Sequence, residues 1–249
     1  MNDVIFFHKN ISETPLQAIQ RLCADRPELR DQKLSYAGRL DPMATGILPI
    51  LVGEEVNQNR EEYLAFDKEY HFKILLGIST DTGDILGKVI SVQTDTAQDL
   101  HPLLTTGLSQ KYSGTTLTQK YPAYSSKTVD GKSLWQWARD TRLSEIEIPS
   151  QDVKIYNLQY LGTEKLADVD ILRDVEKRIN LVRGDFRQDE CLATWRSAIF
   201  PLQNQKFTIA QFSARVSSGF YIRQFVIDVG SLLNIPTVAW GIRRVGVGL

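Results

Sequence analysis

The chain of 249 residues is long enough for one large domain with a full hydrophobic core. Its 42% hydrophobic and 24% charged residues are usual for a globular protein, and no apolar run approaches the roughly 20 residues of a membrane span. The net charge of −1 argues against nucleic-acid binding by a uniformly basic surface, but it is compatible with one basic face.

The cysteines and histidines give no sign of a disulfide framework or a metal centre. Cys23 and Cys191 lie far apart in the sequence, and the three histidines lack metal-ligand spacing. We therefore expect no metal and a reducing, cytoplasmic setting. The first ten residues lack the basic and long apolar segments of a secretory signal.

Apolar periodicity predicts a series of helices and strands. Apolar residues at every third position predict a helix at 14–26, with Ser12 or Thr14 as its cap. Irregular alternation of strands and helices favours an α+β fold with a mostly antiparallel sheet. A turn at 82–84 is expected to join its two flanking strands into a hairpin. Further helices are predicted at 132–140, around 172–182 and at 222–233, and strands at 46–52, 70–76, 85–92, 153–161 and 206–217.

The first segment with chemical character is 36–49, in which Gly38 and Gly46 flank an Asp41-Pro42 step. Proline restricts the backbone of the preceding residue, so the Asp41 carboxylate is held rigidly. The glycines allow sharp turns and the close approach of a ligand. This arrangement suits a nucleophile or a base, although an ordinary turn is the alternative, because Asp-Pro steps are common in turns.

Two C-terminal segments carry basic residues. In 217–225, serines and a glycine precede a predicted helix whose first turn holds Arg223, which suits either phosphate binding or pairing with a buried carboxylate. An ordinary surface arginine is the alternative. Residues 240–245 include Arg243 and Arg244, which suit a strand that lines an RNA groove, or else an edge strand guarded by charge.

Five segments, in the same order, resemble signature segments of the TruB family of RNA pseudouridine synthases. The first, 37–54, resembles the family's central G-x-L-D-P-x-A-[ST]-G-x-L-P signature. The other four resemble the strand that follows it, a P-x-Y-S-A-x-K segment, a [SK]-G-T-Y-I-R segment and an L-R-R segment; they are 68–72, 121–139, 218–223 and 242–244.

The resemblance implies a pseudouridine synthase catalytic fold, with a mixed, mostly antiparallel central sheet flanked by helices. The family isomerises uridine to pseudouridine in RNA, typically at position 55 in the TΨC loop of tRNA, and needs no cofactor. RNA, with tRNA as the expected class, is therefore the implied partner. No membrane contact is expected, and a monomer is the default.

The resemblance also implies roles for individual residues. Asp41 matches the catalytic aspartate, which attacks the nucleotide or removes a sugar proton; the sequence leaves both roles open. Arg223 matches the arginine that keeps this aspartate charged. Tyr70 matches the tyrosine that stacks on the flipped-out base. Tyr221 and Ile242 match positions that line the uracil pocket.

The chain also departs from the family pattern. Tyr36 stands where the family usually has a histidine that wedges into the RNA loop, and tyrosine can still stack there. Only Lys9 is recognisable of the N-terminal family motif. The chain ends four residues after Val245, so we expect one catalytic domain over 1–249 without the C-terminal PUA domain of typical bacterial members.

A charged insertion around 163–206 is a further departure, and we expect it on the surface, where it is available to a partner. Two alternatives to a tRNA uridine-55 isomerase stay open. The first is a catalytically silent RNA-binding protein that reshapes tRNA. The second is an active synthase for a different RNA uridine.

Overall fold

The computed structural model describes residues 3–94 and 103–248. Within these ranges the chain forms strands and helices in an irregular order. The strands are β1 (Asp3–Lys9), β2 (Leu34–Tyr36), β3 (Ala44–Val52), β4 (Lys68–Leu76), β5 (Ile78–Thr80), β6 (Val89–Val92), β7 (Thr115–Lys120), β8 (Thr128–Val129), β9 (Lys132–Ser133), β10 (Ser150–Ala167), β11 (Lys206–Val216) and β12 (Thr237–Val247). The helices are α1 (Pro15–Asp25), α2 (Glu54–Gln58), α3 (Arg60–Leu64), α4 (Leu108–Tyr112), α5 (Leu134–Arg139), α6 (Asp168–Asn180), α7 (Gln188–Ile199) and α8 (Ile222–Leu233).

One large sheet organises the described residues. Its strands follow the order β1-β3-β12-β4-β11-β10-β7, and β2 pairs with β3 beside β12. Neighbouring strands are antiparallel except for the parallel pair β3–β12. The predicted α+β class with a mostly antiparallel sheet is therefore confirmed. In this order β12 and β4 are central strands.

The two faces of the sheet bury separate hydrophobic clusters, because successive side chains of a strand point to opposite faces. On one face, Phe72 and Ile74 of β4 pack in the cluster that includes the apolar side of α8. On the other face, Leu75 packs in the cluster formed with α6 and α7. A third cluster joins α1 to β3. The catalytic candidates lie where loops from these layers meet.

The local predictions agree closely with the helices. The helix predicted at 222–233 has those bounds, because its apolar residues follow the helical period without interruption. The helix predicted at 14–26 is α1, and Thr14 caps it by accepting a hydrogen bond from the Gln17 amide. Among the described residues, the helices are all too short or too polar to cross a membrane.

The predicted hairpin of 70–76 with 85–92 is wrong. Both edges of β4 are occupied, by β11 and by β12, so β4 cannot pair with the next segment along the chain. The strand β6 pairs instead with the short strand β5. Residues 81–88 therefore form a loop between β5 and β6, and this loop reaches the catalytic candidates.

The charged insertion was expected on the surface. This prediction is correct for its charged side chains and wrong for several of its apolar side chains. Many charged side chains of α6 and α7 are exposed, as expected. However, Ile171, Val175, Cys191 and Trp195 are completely buried against the sheet. These two helices cover one face of the sheet, because their apolar residues recur at helical spacing and leave the charges on the outer side.

Candidate active site

The loop that carries Asp41 connects β2 to β3, and the end of the loop at β3 packs against β12. Gly46 has a φ of +106°, and a Cβ there would lie 2.1 Å from the Arg244 carbonyl oxygen of β12. Gly38, at the other end of the loop, has a φ of +75°. Both positions need glycine, which tolerates positive φ and leaves room for the neighbouring chain. The loop that carries Asp41 is thereby fixed by a close backbone contact at Gly46 and by the side chains of Arg244 and Lys68 near Gly38.

Arg244 holds this loop from inside the protein. Its Nε donates to the Ile47 carbonyl at 2.6 Å, a second guanidinium nitrogen donates to the Gly38 carbonyl at 3.1 Å, and the residue is only 1% exposed. Arg244 also lines the cleft described below, so the prediction that the arginines of 240–245 lie along an RNA groove stays a prediction, although this guanidinium is engaged by loop carbonyls. The edge-strand alternative is wrong, because β12 is paired on both sides.

Lys9 ties the end of β1 to the same loop. Its Nζ donates to the carbonyl of Glu13 at 2.6 Å and to the carbonyl of Asn10 at 2.9 Å, and a longer contact of 3.4 Å reaches the Pro42 carbonyl. Burial lowers the Lys9 pKa to about 8, although Glu13 and Asp41 act to raise it. Lys9 thus places a buried cationic group behind the catalytic candidate.

Arg223 and Asp41 form an ion pair across 182 residues of sequence. The Arg223 Nε donates to Asp41 Oδ2 at 2.7 Å, and the Arg223 side chain is 3% exposed against 30% for Asp41. The terminal nitrogens of Arg223 donate to the carbonyls of Thr82 at 2.7 Å and Tyr124 at 3.1 Å. Three acceptors therefore fix the guanidinium, while the carboxylate stays within reach of solvent.

A second carboxylate lies behind the pair. Asp84 Oδ2 is 3.8 Å from the Arg223 Nε, and Asp84 Oδ1 accepts hydrogen bonds from the Thr82 hydroxyl and the Leu86 amide. Burial raises the pKa of Asp84, while Arg223 opposes this effect and Asp41 adds to it. Burial alone would lower the pKa of Arg223, but Asp41 and Asp84 raise it above its ordinary value. The guanidinium stays charged between the two carboxyl groups.

The ion pair lies in an open cleft of about 1320 Å³, and this cleft brings all the predicted site residues together. Tyr70 of β4 is 7% exposed and presents an aromatic side chain to it. Ile242 of β12 adds an apolar side chain, and Tyr221, at the start of α8, adds a second aromatic ring. The combination places an anionic group beside apolar and aromatic side chains.

Tyr221 is held by the strand β7 and by a second tyrosine. The side-chain amide of Gln119 accepts from the Tyr221 amide at 2.8 Å and donates to the Tyr221 carbonyl at 3.1 Å. The ring of Tyr121 meets the Tyr221 ring edge-on, with 5.7 Å between centroids. Burial, together with Asp41, raises the pKa of Tyr221 to about 12. Its phenol is therefore a neutral hydrogen-bond donor at physiological pH.

Tyr36 lines the cleft from β2. Its hydroxyl accepts from Arg39 at 3.1 Å, and its carbonyl accepts from the Nε of Arg60 at 3.1 Å. These two arginines hold the ring at intermediate exposure and bring positive charge to it. A rigid ring beside arginines is suited to stacking on a nucleic-acid base.

Some residues of the site were not found by sequence reasoning. Asp84 was read as part of a hairpin turn, since Thr-Gly-Asp is a common turn sequence. Lys68 lines the cleft, and burial together with Arg244 lowers its pKa to about 8. Phe186 and Arg187 reach the cleft from the insertion. Only a pattern that relates distant segments of the sequence would have indicated these residues. Neither the hydrophobic period nor the spacing within a motif relates such segments.

The geometry suits chemistry at one carboxylate on a flat, partly apolar ligand. Asp41 can act as a nucleophile or as a base, because Arg223 engages only one of its oxygens and the side chain is partly exposed. Within residues 3–94 and 103–248, His, Cys, Asp and Glu side chains form no group of three or more that could hold a metal ion.

Comparison with known proteins decides the family. Residues 26–179 match the family model described as "TruB family pseudouridylate synthase (N terminal domain)", which covers more than half of the chain. The chain belongs to the TruB family. The matched region contains Asp41, Tyr70 and Asp84, and it ends before α7.

Curated relatives agree with this membership. The chain is 34% identical over 173 residues to "tRNA pseudouridine synthase B" of Francisella tularensis subsp. novicida, which covers 70% of this chain and 53% of that protein. A protein of the same name from Francisella philomiragia subsp. philomiragia is 34% identical over 161 residues, covering 65% of this chain and 51% of that protein. The chain spans about half the length of these relatives.

Solved structures of other proteins share this fold. The chain superposes with a TM-score of 0.54 on a Cbf5 complex with Nop10 and Gar1, at 16% identity, over 98% of this chain and 48% of the other. A structure of an H/ACA RNP bound to a substrate RNA gives 0.52, at 15% identity, over 98% and 47%. The predicted pseudouridine synthase fold is therefore confirmed.

Proposed function

We propose that this chain isomerises uridine to pseudouridine in RNA, with the uridine at position 55 of the tRNA TΨC loop as its target. The observation that carries the proposal is the ion pair of Asp41 with Arg223, at 2.7 Å, in a cleft lined by Tyr70, Tyr221 and Ile242. Membership of the TruB family and the likeness to relatives named tRNA pseudouridine synthase B support the same reaction.

The reaction exchanges one bond for another within a single nucleotide. The bond from the sugar C1′ to N1 of uracil breaks, the base rotates in the pocket, and a bond forms between C1′ and C5. The proton on C5 leaves and N1 gains one, so the isomerisation is balanced without a cofactor. Asp41 takes part as the nucleophile or as the base that removes a sugar proton, and both roles need its ionised form.

The target base must leave the folded RNA loop to reach Asp41, as other enzymes that act on bases require. In the proposed complex Tyr70 stacks on the everted uracil, while Tyr221 and Ile242 complete the pocket. Stacking one base on an aromatic ring contributes roughly 1–3 kcal/mol. This offsets much of the few kcal/mol that unstacking and unpairing the base cost.

The proposal includes the partner and the setting. RNA, and tRNA in particular, is the proposed partner, because the cleft combines aromatic rings with Arg39 and Lys68. We propose one catalytic domain with a charged insertion around 163–206, of which α6 and α7 form the part between β10 and β11. Monomeric action in the cytoplasm is part of the proposal, since one chain supplies every residue of the site.

A second candidate is isomerisation of a uridine elsewhere in RNA. Tyr36 lines the cleft at the position where the family usually has histidine, and the insertion adds Phe186 to the cleft wall. RNA targets are distinguished by loop shape and by stacking, which these residues affect. The same chemistry at Asp41 serves both candidates.

Mapping pseudouridine in total RNA from cells with and without this protein tests the function. The proposal predicts that one uridine, position 55 of tRNA, loses its modification and regains it on complementation. Loss at another uridine would support the second candidate. An unchanged pseudouridine map would contradict both and favour a silent RNA-binding protein.

A further inference from the structure

The insertion between β10 and β11 begins and ends at a single point of the sheet. The two strands are antiparallel neighbours, and Ala167 pairs with Lys206 at their ends. The amide of Asp168 donates to the Gln205 carbonyl at 2.9 Å, and the Asp168 carboxylate accepts from the Gln205 amide at 3.0 Å. A short turn would therefore suffice to join β10 to β11, so α6 and α7 are not needed for this connection.

The inserted helices hold the loop between β5 and β6. The indole Nε1 of Trp195, on α7, donates to the carbonyls of Ile85 at 3.2 Å and Gly87 at 3.1 Å. The Thr194 hydroxyl accepts from the Val89 amide at 3.1 Å. This loop also carries Thr82 and Asp84, which contact Arg223 directly. The insertion is thereby coupled to the catalytic pair through one loop.

Arg187 makes the most direct link from the insertion. It lies just before α7 with a φ of +59°, a conformation that is uncommon for residues other than glycine and is often found at functional sites. Its terminal nitrogens donate to both oxygens of Asp81, at 2.7 and 3.3 Å, and its guanidinium lies 4.5 Å from the centre of the Tyr124 ring. The Tyr124 hydroxyl completes the group by donating to Asp81 Oδ2 at 3.1 Å.

Arg187 contacts Tyr124, which orients Arg223, and Asp81, whose neighbour Thr82 also orients Arg223. The carbonyl of Tyr124 accepts from one terminal nitrogen of Arg223, and the carbonyl of Thr82, next to Asp81, accepts from the other. The side chains of Arg187 and Asp81 are 11% and 21% exposed, so solvent screens their interaction less than it screens a surface pair. Two of the three acceptors around Arg223 therefore belong to this cluster or adjoin it in the chain.

We infer that Arg187 is a positioning residue for the Arg223–Asp41 pair, and that the α6–α7 insertion is consequently part of the catalytic apparatus of this chain. The expected effect on the rate rests on the proposed function. The claim that Arg187 positions Arg223 does not depend on that function. Arg187 acts through Asp81, Tyr124 and Thr82 and does not touch the reacting atoms.

Measuring both the reaction rate and the affinity for RNA distinguishes a positioning role of Arg187 from a direct contact with RNA. The test compares Arg187→Ala and Arg187→Lys with Arg196→Ala, a control on α7 whose partner Glu176 lies on the outer side of the insertion. At saturating RNA in single turnover, both Arg187 variants should lose about 10- to 100-fold in rate, because small displacements of catalytic groups have effects of this size. Their Kd for RNA should stay within about threefold of the wild type.

A readout without RNA tests the geometry alone. The Arg223 Nε–H group is buried and hydrogen-bonded, so its resonance should be visible in proton–nitrogen correlation spectra and identifiable by its loss in Arg223→Lys. It should shift or broaden in both Arg187 variants and stay unchanged in the control. The lysine variant retains the charge and most of the volume, so it provides a folded protein if the alanine variant does not fold.

The outcomes distinguish the inference from the proposed function. A wild-type rate together with an unchanged Arg223 resonance in the Arg187 variants would overturn the inference. A loss confined to Kd would also overturn it, because Arg187 would then be an RNA contact. If the wild type itself forms no pseudouridine, the proposed function fails, and the Arg223 resonance alone decides whether Arg187 positions it.

Discussion

At the scale of single residues, the guanidinium of Arg223 lies close to two carboxyl groups that differ in burial. Asp41 is closer to Arg223 and partly exposed, whereas Asp84 is farther away and buried. The exposed carboxylate can meet a ligand, and the buried one can only hold the arginine. This difference in depth is consistent with the proposal that Asp41 is the catalytic group and Asp84 its support.

The support role of Asp84 predicts a loss of rate in Asp84→Asn. An asparagine Oδ1 can still accept from Thr82 and Leu86, but its amide nitrogen would then face the guanidinium of Arg223, so donor would oppose donor. We expect the single-turnover rate to fall about tenfold or more with little change in Kd for RNA. Asp228→Asn is the matched control, since Asp228 is a partly buried carboxyl on α8 whose partner is Gln224. Equal rates in the two variants would argue against this role.

Lys68 predicts a pH dependence of RNA binding. Burial and Arg244 lower its pKa to about 8, so Lys68 is charged below pH 8 and neutral above it. Since a cation in the cleft attracts phosphate, the Kd for RNA should rise between pH 7 and 9 as this charge is lost. Lys68→Gln should bind more weakly at pH 7 and lack the rise, as measured by titration at constant salt. The same rise in the variant would assign the effect to another group.

At the scale of elements, what the sequence predicts depends on whether the signal is local. The helix α8 and the cap of α1 follow from residues a few positions apart, and both are confirmed. The hairpin prediction failed because the partners of β4 lie more than a hundred residues away, in β11 and β12. Apolar spacing around 172–182 predicts α6 of the insertion, whereas α7 was not predicted, because its few apolar residues lie among charged and small ones.

The parallel contact of β3 with β12 predicts a strict need for glycine at residue 46. Gly46→Ala would combine a positive φ with a Cβ 2.1 Å from the Arg244 carbonyl, so the strands must separate. We expect the free energy of unfolding to fall by about 3 kcal/mol or more, as strain and overpacking add. Gly131→Ala is the control: its φ is +76°, but nothing lies within 4 Å of the added Cβ.

Gly131→Ala should lower the free energy of unfolding by about 1 kcal/mol, because it adds backbone strain alone. Chemical denaturation of both variants measures the difference. If Gly46→Ala is no less stable than Gly131→Ala, the close contact between β3 and β12 is not as tight as the structure describes.

At the scale of the whole molecule, the site assembles from segments that are distant in sequence. Asp41 and Arg223 are 182 residues apart, and neither period nor spacing brings them together. Taken alone, each segment favoured a bland interpretation, a turn or a surface arginine. The ordered resemblance of five segments predicted the pair, and the structure brings all six predicted residues into one cleft. The resemblance could not predict Arg187, because this residue lies in the insertion, outside the five segments.

The shape of the RNA target gives a prediction for Tyr36. If this ring fills the gap left by the everted base, Tyr36→Ala should weaken binding of a folded T-arm by about tenfold, and of a single-stranded oligomer by much less. Tyr156→Ala serves as the control, since this exposed tyrosine of β10 lies outside the cleft. Equal weakening for both RNAs would argue that Tyr36 is a general stacking surface.

The central claim is that an ionised Asp41, held by Arg223, rearranges the glycosidic bond of an everted uridine. The most direct measurement is single-turnover pseudouridine formation in a tRNA T-arm transcript by the wild type and by Asp41→Asn. This substitution removes the charge and little volume, so RNA binding should stay within about tenfold of the wild type while product formation is abolished. Product formation by Asp41→Asn at a rate near that of the wild type would contradict the account.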